Sequence, residues 1–420
     1  MRKRYPWNDT RQRRHDACSC VRWKAGKVRS MILIFFSLCL GALLGALFRF
    51  PWYVFFPAAI PLWRKNKEIS IAVLFILSGA FLYSLGTLPP GNYELVGLVE
   101  GSRVTRVKVF QGEWKKVRPI RIRTSKDGFI YAVGYYDGSI FHPSYLKELE
   151  KPSLRRLREE FSKEVRGTAF SLLFGEKDNA VYRSGLGHFF AVSGLHVGIA
   201  FSLYTTLISF FTWRRMYQEL VALLLLIPYV LSVNTPSVLR AYLTILLWKV
   251  LRTLGFKTTP SYITATVGSL MIVLDPTVLF TPSFLLSFFV TLSILNSKNI
   301  FELVVKAYLA SLPFLCLFFG ETNVSALLFS IPMSFAVIPV TWVSHLSFLL
   351  FLLGLKTPSM VAADVANIVS FPVDVLVRLS NMMPIIPLPK FLFFVLIPVP
   401  LILLFDIRGI IRRTSGRAIL

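Results

Sequence analysis

No Gly-x4-Gly-Lys-Ser/Thr string occurs in this sequence, and its one Gly-Lys pair, Gly26-Lys27, sits in a polar N-terminal stretch. A P-loop motor needs that glycine-rich turn to cradle phosphates, so the chain does not carry one. Cysteine is scarce: Cys18 and Cys20 lie in the basic tail, Cys39 and Cys316 in apolar runs. Residues so spread make neither a disulfide framework nor a zinc set, and no metal or cofactor is expected. Acid is scarce too. Against 47 Lys and Arg stand 22 Asp and Glu, a net charge of +25 that calls for an anionic partner.

What the chain does have is apolar length. Hydrophobic residues make up 54% of it. Runs at 31–48, 69–88, 189–211, 221–233, 277–295 and 391–405 approach the ~20 residues that span ~30 Å of hydrocarbon. The basic region of about 30 residues before the first run, with no small-residue cleavage site after it, does not read as a secretory signal. Residues 1–30 read as a disordered basic tail, native or an artefact of start-site choice. Short cytoplasmic loops are enriched in Lys and Arg. That rule puts the N-terminus, residues 64–67, Arg214-Arg215, Arg252 to Lys257, Lys298, Lys356 and Arg408 to Arg417 inside, and residues 91–166 outside. The expected architecture is a polytopic α-helical membrane protein of about 12 spans, some re-entrant, with a small external OB-like β-barrel. Its parts are the tail (1–30), N-terminal membrane helices (31–90), the external β domain (91–150), an amphipathic interfacial helix (151–170) and a membrane domain (171–420).

The external segment alternates as strands do over 94–99, 103–110, 118–123 and 129–136, with Gly101-Ser102, Gln111-Gly112 and Asp127-Gly128 between them. Basic residues crowd its stretch from 103 to 126: Arg103, Arg106, Lys108, Lys115, Lys116, Arg118, Arg121, Arg123 and Lys126 against the single acid Glu113. Anionic lipid accounts for juxtamembrane clusters, at roughly 1 kcal/mol per cation near the surface, but less readily for a basic soluble domain. Trp114, Tyr131, Tyr135 and Tyr136 can stack bases beside that charge, the mode of single-strand binders. A solvated basic surface over core aromatics is the plainer alternative. After it, Leu154, Leu157, Phe161 and Val165 form one apolar helical stripe, suited to a membrane surface.

The most specific strings are Leu172-Leu173-Phe174-Gly175-Glu176 and then His188-Phe189-Phe190-Ala191-Val192-Ser193-Gly194-Leu195-His196-Val197-Gly198. Ser237-Val238-Leu239-Arg240-Ala241, Asp275-Pro276, Phe284-Leu285-Leu286-Ser287-Phe288, Pro313, Phe318-Phe319-Gly320 and Ile331-Pro332 follow in order. Together they resemble the ComEC family of competence DNA channels, most strongly over residues 167–350. The resemblance implies a multi-pass protein of the inner (cytoplasmic) membrane, both termini cytoplasmic, that passes single-stranded DNA inward in DNA uptake (natural transformation). It implies no enzyme activity in this chain, with a separate DNA receptor, nuclease and cytoplasmic ATP-driven motor as partners beside DNA and lipid. Members often carry a metallo-β-lactamase-type nuclease domain; this sequence has no His-x-His-x-Asp-His cluster, so the nuclease is expected on another polypeptide. Where the pattern has an Asn shortly before Ile-Pro, the nearest here is Asn323. Oligomeric state is not legible.

His188, Ser193 and His196 are polar groups at membrane depth, which protein or water must satisfy. Gly194 and Gly198 allow close backbone approach or a break that lines a cavity. Arg240 costs about 2.5–3.5 kcal/mol at a helix centre on insertion scales. With Ser237 one turn before it, these residues are assigned to a path, the guanidinium facing a passing phosphate. The plainer alternative has the glycines packing helices, the histidines bonding neighbours, and Arg240 paired with Asp275 or Glu302. Two other functions stay open. A secondary transporter of a small solute would explain the buried charges but not the basic external domain, and no inverted repeat is visible. An intramembrane serine protease would use Ser193, but Ala191 stands where its Gly-x-Ser-Gly string has glycine, and both nearby histidines are too close in sequence.

Overall fold

Helices that must bury apolar faces and strands that must close over a core arise from different stretches of the chain. The structure is a computed structural model and describes residues 31–45, 67–85, 88–100, 103–117, 119–124, 128–149, 153–164, 167–175, 181, 184, 186, 189, 194–233, 235–256, 258–295 and 297–404. The basic tail, with Cys18 and Cys20, lies outside these. The chain divides into two compact units, Met1–Glu150 with Leu247–Leu279, and Lys151–Leu246 with Phe280–Leu420.

In the first unit, helices α1 (Met31–Gly45) and α2 (Lys67–Leu85) meet through small residues. A Cβ at Gly41 would run into the Ile76 carbonyl, so only glycine permits this approach. Six strands follow: β1 (Gly91–Glu100), β2 (Arg103–Gln111), β3 (Glu113–Lys116), β4 (Ile120–Ile122), β5 (Gly128–Tyr136) and β6 (Ile140–Glu148). Pairing runs from β1 through β2, β4, β6 and β5 back to β1, with β3 extending from β2; only β4–β6 is parallel. The ladders through β4 are two residue pairs long, so the sheet is a curled half-barrel closed thinly on one side. Leu95, Val104, Val109, Ile130, Ala132 and Phe141 fill its interior, as alternation in β-strands dictates. Two of these strands were not expected. Strand β3 is too short to alternate, and β6 contains Pro143, tolerated because a bulge between Val133 and Gly134 falls opposite. Tyr136, expected to stack bases, is instead buried in the interior. The strand expected at 118–123 contracts to Ile120–Ile122.

The second unit is helical: α3 (Ser153–Glu164), α4 (Thr168–Phe174), α5 (Gly194–Ser209), α6 (Arg215–Val233) and α7 (Pro236–Thr253), whose last residues belong to the first unit with α8 (Pro260–Leu274). Then come α9 (Pro282–Ile294), α10 (Ile300–Phe318), β7 (Glu321–Asn323), α11 (Ser325–Leu352), α12 (Lys356–Val369), α13 (Phe371–Asn381), β8 (Ile385–Pro387), α14 (Leu392–Leu396) and α15 (Pro398–Leu404). Helix starts follow local chemistry. Thr259 and Thr281 accept the Tyr262 and Phe284 amides ahead of Pro260 and Pro282, and Asn299 accepts that of Glu302. Phe161 of α3 is fully buried among Phe170, Phe174, Phe348 and Phe351, so α3 docks on the bundle through its aromatic.

Among the described residues, four helical stretches are long and apolar enough to cross a membrane: Arg215–Val233, Ile300–Phe318, Ser325–Leu352 and Lys356–Asn381. Five shorter apolar helices accompany them. A membrane protein is consistent with this, but twelve crossings are more than these lengths show. Two expected spans are interrupted. The described part of 391–405, through Leu404, forms α14 and α15, broken before Pro398, and 277–295 opens with a 3-10 turn, Pro276–Phe280, before α9.

Candidate functional site

At about 100° per residue, Gly194, Gly198, Ser202 and Thr205 fall on one face of α5, while His196, Ala200, Leu203 and Tyr204 fall on another. The second face is buried. The sequence block that joins these residues is therefore divided between two environments.

On the glycine face, α7 brings Arg240 across. A Cβ at Gly194 would stand 2.7 Å from the Arg240 Nη2 and 3.5 Å from the Ala241 Cβ, so hydrogen is what leaves room for the guanidinium. At Gly198, one turn on, a Cβ would meet nothing within 4 Å. Of the two glycines, Gly194 packs against side chains of α7, whereas Gly198 borders open space. Arg240 is 7% exposed, and its Cζ lies 5.5 Å from the centre of the Phe288 ring, within cation–π reach. Its Nε has no partner among the described residues, and no carboxylate there comes within salt-bridge distance. Glu302 is held instead by Lys306 at 2.7 Å and by the Lys298 amide, and Asp275 accepts the Thr277 hydroxyl at 2.6 Å. Ser237 lies one turn before Arg240, also buried.

His196, on the opposite face, is fully buried and within electrostatic reach of His345 on α11. Reasoning from sequence passed over His345. It sits against Tyr229 of α6 (ring centres 4.4 Å apart, 73° between planes) and Tyr204 of α5 (6.1 Å, 90°). The only hint is a polar spacing, Thr341, Ser344, His345 and Ser347, inside an apolar helix. Asn323 is buried as well. Its Oδ1 accepts the Ser325 amide at 2.9 Å, and its Nδ2 donates to the Ser380 carbonyl at 3.4 Å. The hydroxyls of Ser325 and Ser380 both reach the Ser184 carbonyl, tying three segments together. His188 and Ser193 lie outside the described residues.

On the curled sheet, register sets a row across the outer face: Trp114, Phe110, Glu94, Val133, Tyr145. Trp114 and Tyr145 are 46% and 54% exposed, and the Phe110 and Trp114 rings lie 5.4 Å apart. The adjoining row contains Lys108, Val96, Tyr131 and Lys147, with both lysines exposed. Tyr135 is exposed as well, whereas Tyr131 donates to Glu94 at 3.0 Å, which pushes its phenol pKa up. Lys115, Arg121 and Arg123 are exposed; Arg103, Arg106 and Lys116 hold strand positions whose side chains are outside the description. Arg118 and Lys126 lie outside the described residues.

Residues 171–411 match a family model described as "Competence protein". An uncharacterized protein of Aquifex aeolicus (strain VF5) is 29% identical over 219 residues, covering 45% of this chain and 52% of its own length. The chain thus spans about half the length of that curated relative. No solved structure matches the chain.

Proposed function

Because the chain belongs to the competence protein family, which acts in DNA uptake, we propose that it passes single-stranded DNA across the inner membrane into the cytoplasm. The curled sheet, read as an OB-type barrel on the outer side, receives the strand on its aromatic and basic face. The helical domain conducts it along the glycine face of α5, past Arg240. In this reading a receptor, a nuclease and a cytoplasmic ATP-driven motor act with it.

One observation carries this reading: Arg240, 7% exposed and with no carboxylate partner among the described residues, packs its guanidinium on Gly194, one helical turn from the open space at Gly198. A buried cation needs an anion. Phosphate is the anion that a DNA strand brings, and Arg binds it through a planar fork. Arg240→Gln should lower DNA uptake while leaving membrane abundance near normal, because no carboxylate is stranded by its loss. Arg240→Lys, which keeps charge but not the fork, should retain part of the activity. Normal uptake by a well-inserted Gln variant would remove Arg240 from the path. Lost abundance, restored by neutralising a carboxylate elsewhere, would make it a structural ion pair.

A further inference from the structure

The buried face of α5 has no part in the path just described, yet it meets the densest set of unsatisfied polar atoms in the bundle. His345 is fully buried, and neither ring nitrogen has a hydrogen-bond partner among the described residues. The same holds for the Tyr204 hydroxyl on α5 and for the Thr341 and Ser344 hydroxyls on α11. Thr341 precedes His345 by one helical turn, so the two share a face.

The helix hydroxyls set the contrast. Elsewhere in the helices the habit is to bond the carbonyl one turn back, as Thr205, Thr206, Thr244, Thr266, Thr291 and Ser334 do at 2.5–3.0 Å. Further along α11, Ser347 bonds the Ser359 carbonyl at 2.7 Å. Thr341 and Ser344 do neither. A buried polar atom left unmade costs about 1–3 kcal/mol, so several together in one dry pocket would be a heavy liability. Polar pockets of this kind hold water, which makes two to four bonds to such groups.

We propose that His345, Tyr204, Thr341 and Ser344 line an internal water-holding chamber in which the His345 imidazole takes up and releases a proton. Protonation adds one N–H bond at a ring nitrogen, the proton coming from and returning to the chamber water. Tyr229 forms an edge-to-face pair with the imidazole, ring centres 4.4 Å apart. The titratable and charged groups around it are His196 and Tyr204 from α5, Tyr229 from α6, and Arg158 of α3, which acts on Tyr229. No carboxylate among the described residues pairs with it, so the proton is not locked in place.

The proposal does not depend on the DNA path, and its test involves no DNA. Full-length protein in lipid nanodiscs is exchanged into deuterated water across a pH series. Exchange at the imidazole C2 carbon is then read by peptide mass spectrometry. This slow exchange needs both water and a protonated ring, and the exposed His142 serves as internal reference. His345 should exchange within about tenfold of His142, with a sigmoidal pH profile, as a hydrated site requires. Thr341→Val, isosteric but without the hydroxyl, should slow His345 exchange several-fold and leave His142 unchanged. A His345 protected far beyond tenfold at every pH would overturn the chamber, and so would a flat profile. Thr341→Val protein that is more heat-stable with unaltered His345 exchange would show that the Thr341 hydroxyl meets no water at His345, and would overturn the chamber too.

Discussion

At the scale of single residues, the two glycines of α5 separate packing from space. Gly194→Ala puts a methyl against the Arg240 guanidinium, the mobile end of a long side chain, so the arginine moves rather than the helix. Uptake should fall with abundance kept. Gly198→Ala meets nothing and sits inside a helix, where alanine is favoured over glycine by roughly 0.5–1 kcal/mol. It should leave thermal stability unchanged or raise it by a few degrees. A Gly198→Ala protein that melts markedly lower would show that the space beside it is filled. The sequence points to Gly194 and Arg240 separately, by residue type, and their meeting is legible only as a resemblance. That His196 turns away from both glycines was not legible, because a contiguous string hides helical phase. His345 had no string at all: one histidine in a long apolar run reads as core until its neighbours are known.

At the scale of elements, the β5–β6 hairpin shows how a turn is held. Asp137 accepts the Ser139 and Ile140 amides, each at 2.7 Å, and pairs with His142 at 3.0 Å. The Ile140 amide first, then His142 and Ser139, hold its carboxyl well below the usual carboxylate range. With the native pKa depressed, this contribution is fully present above the ordinary carboxylate pKa, about 4, and is lost as pH falls through the native value. Protection of the Ser139 and Ile140 amides against hydrogen exchange should therefore drop below about pH 4 and stay level from there to neutrality. Asp137→Asn should remove that step; an unchanged step would assign it to another group. The long alternating strands were readable for the reason that periodicity needs length. Strand β3, four residues long, and β4, three, are too short to show a period, and Pro143 argues against the strand it sits in. The unbroken apolar run of 391–405 reads as one span and hid the break between α14 and α15, although Pro398 signals it.

For the molecule as a whole, the proposed function assigns the net charge of +25 and the exposed aromatics of the sheet separable contributions to DNA binding. Phosphate contacts set the dependence on salt, while base stacking is largely independent of it. Trp114→Ala in the full chain should weaken single-stranded DNA binding by about 1–3 kcal/mol with the salt slope unchanged. A changed slope with the same low-salt affinity would contradict stacking there. We propose that seating in the bilayer is marked by Phe210, Phe211 and Trp213, the last 99% exposed, followed directly by Arg214 and Arg215. Aromatic rings backed by cations belong at the headgroup level, where neither water nor hydrocarbon suits them alone. From sequence the basic pair is read as a cytoplasmic-side signal; the outward turn of the rings was not legible, since phenylalanine and tryptophan read equally well as core. Helix α11 has a different relation to the bilayer. Its 28 residues extend about 42 Å at 1.5 Å each, well beyond a hydrocarbon layer of ~30 Å. Such an excess is relieved by tilting or kinking, and Pro332 and Pro339 give α11 two places to bend. Since His345 lies beyond the second of these, a bilayer-crossing α11 would set the depth and aim of that histidine by bilayer thickness, and lipid chain length would become a variable of this protein's behaviour.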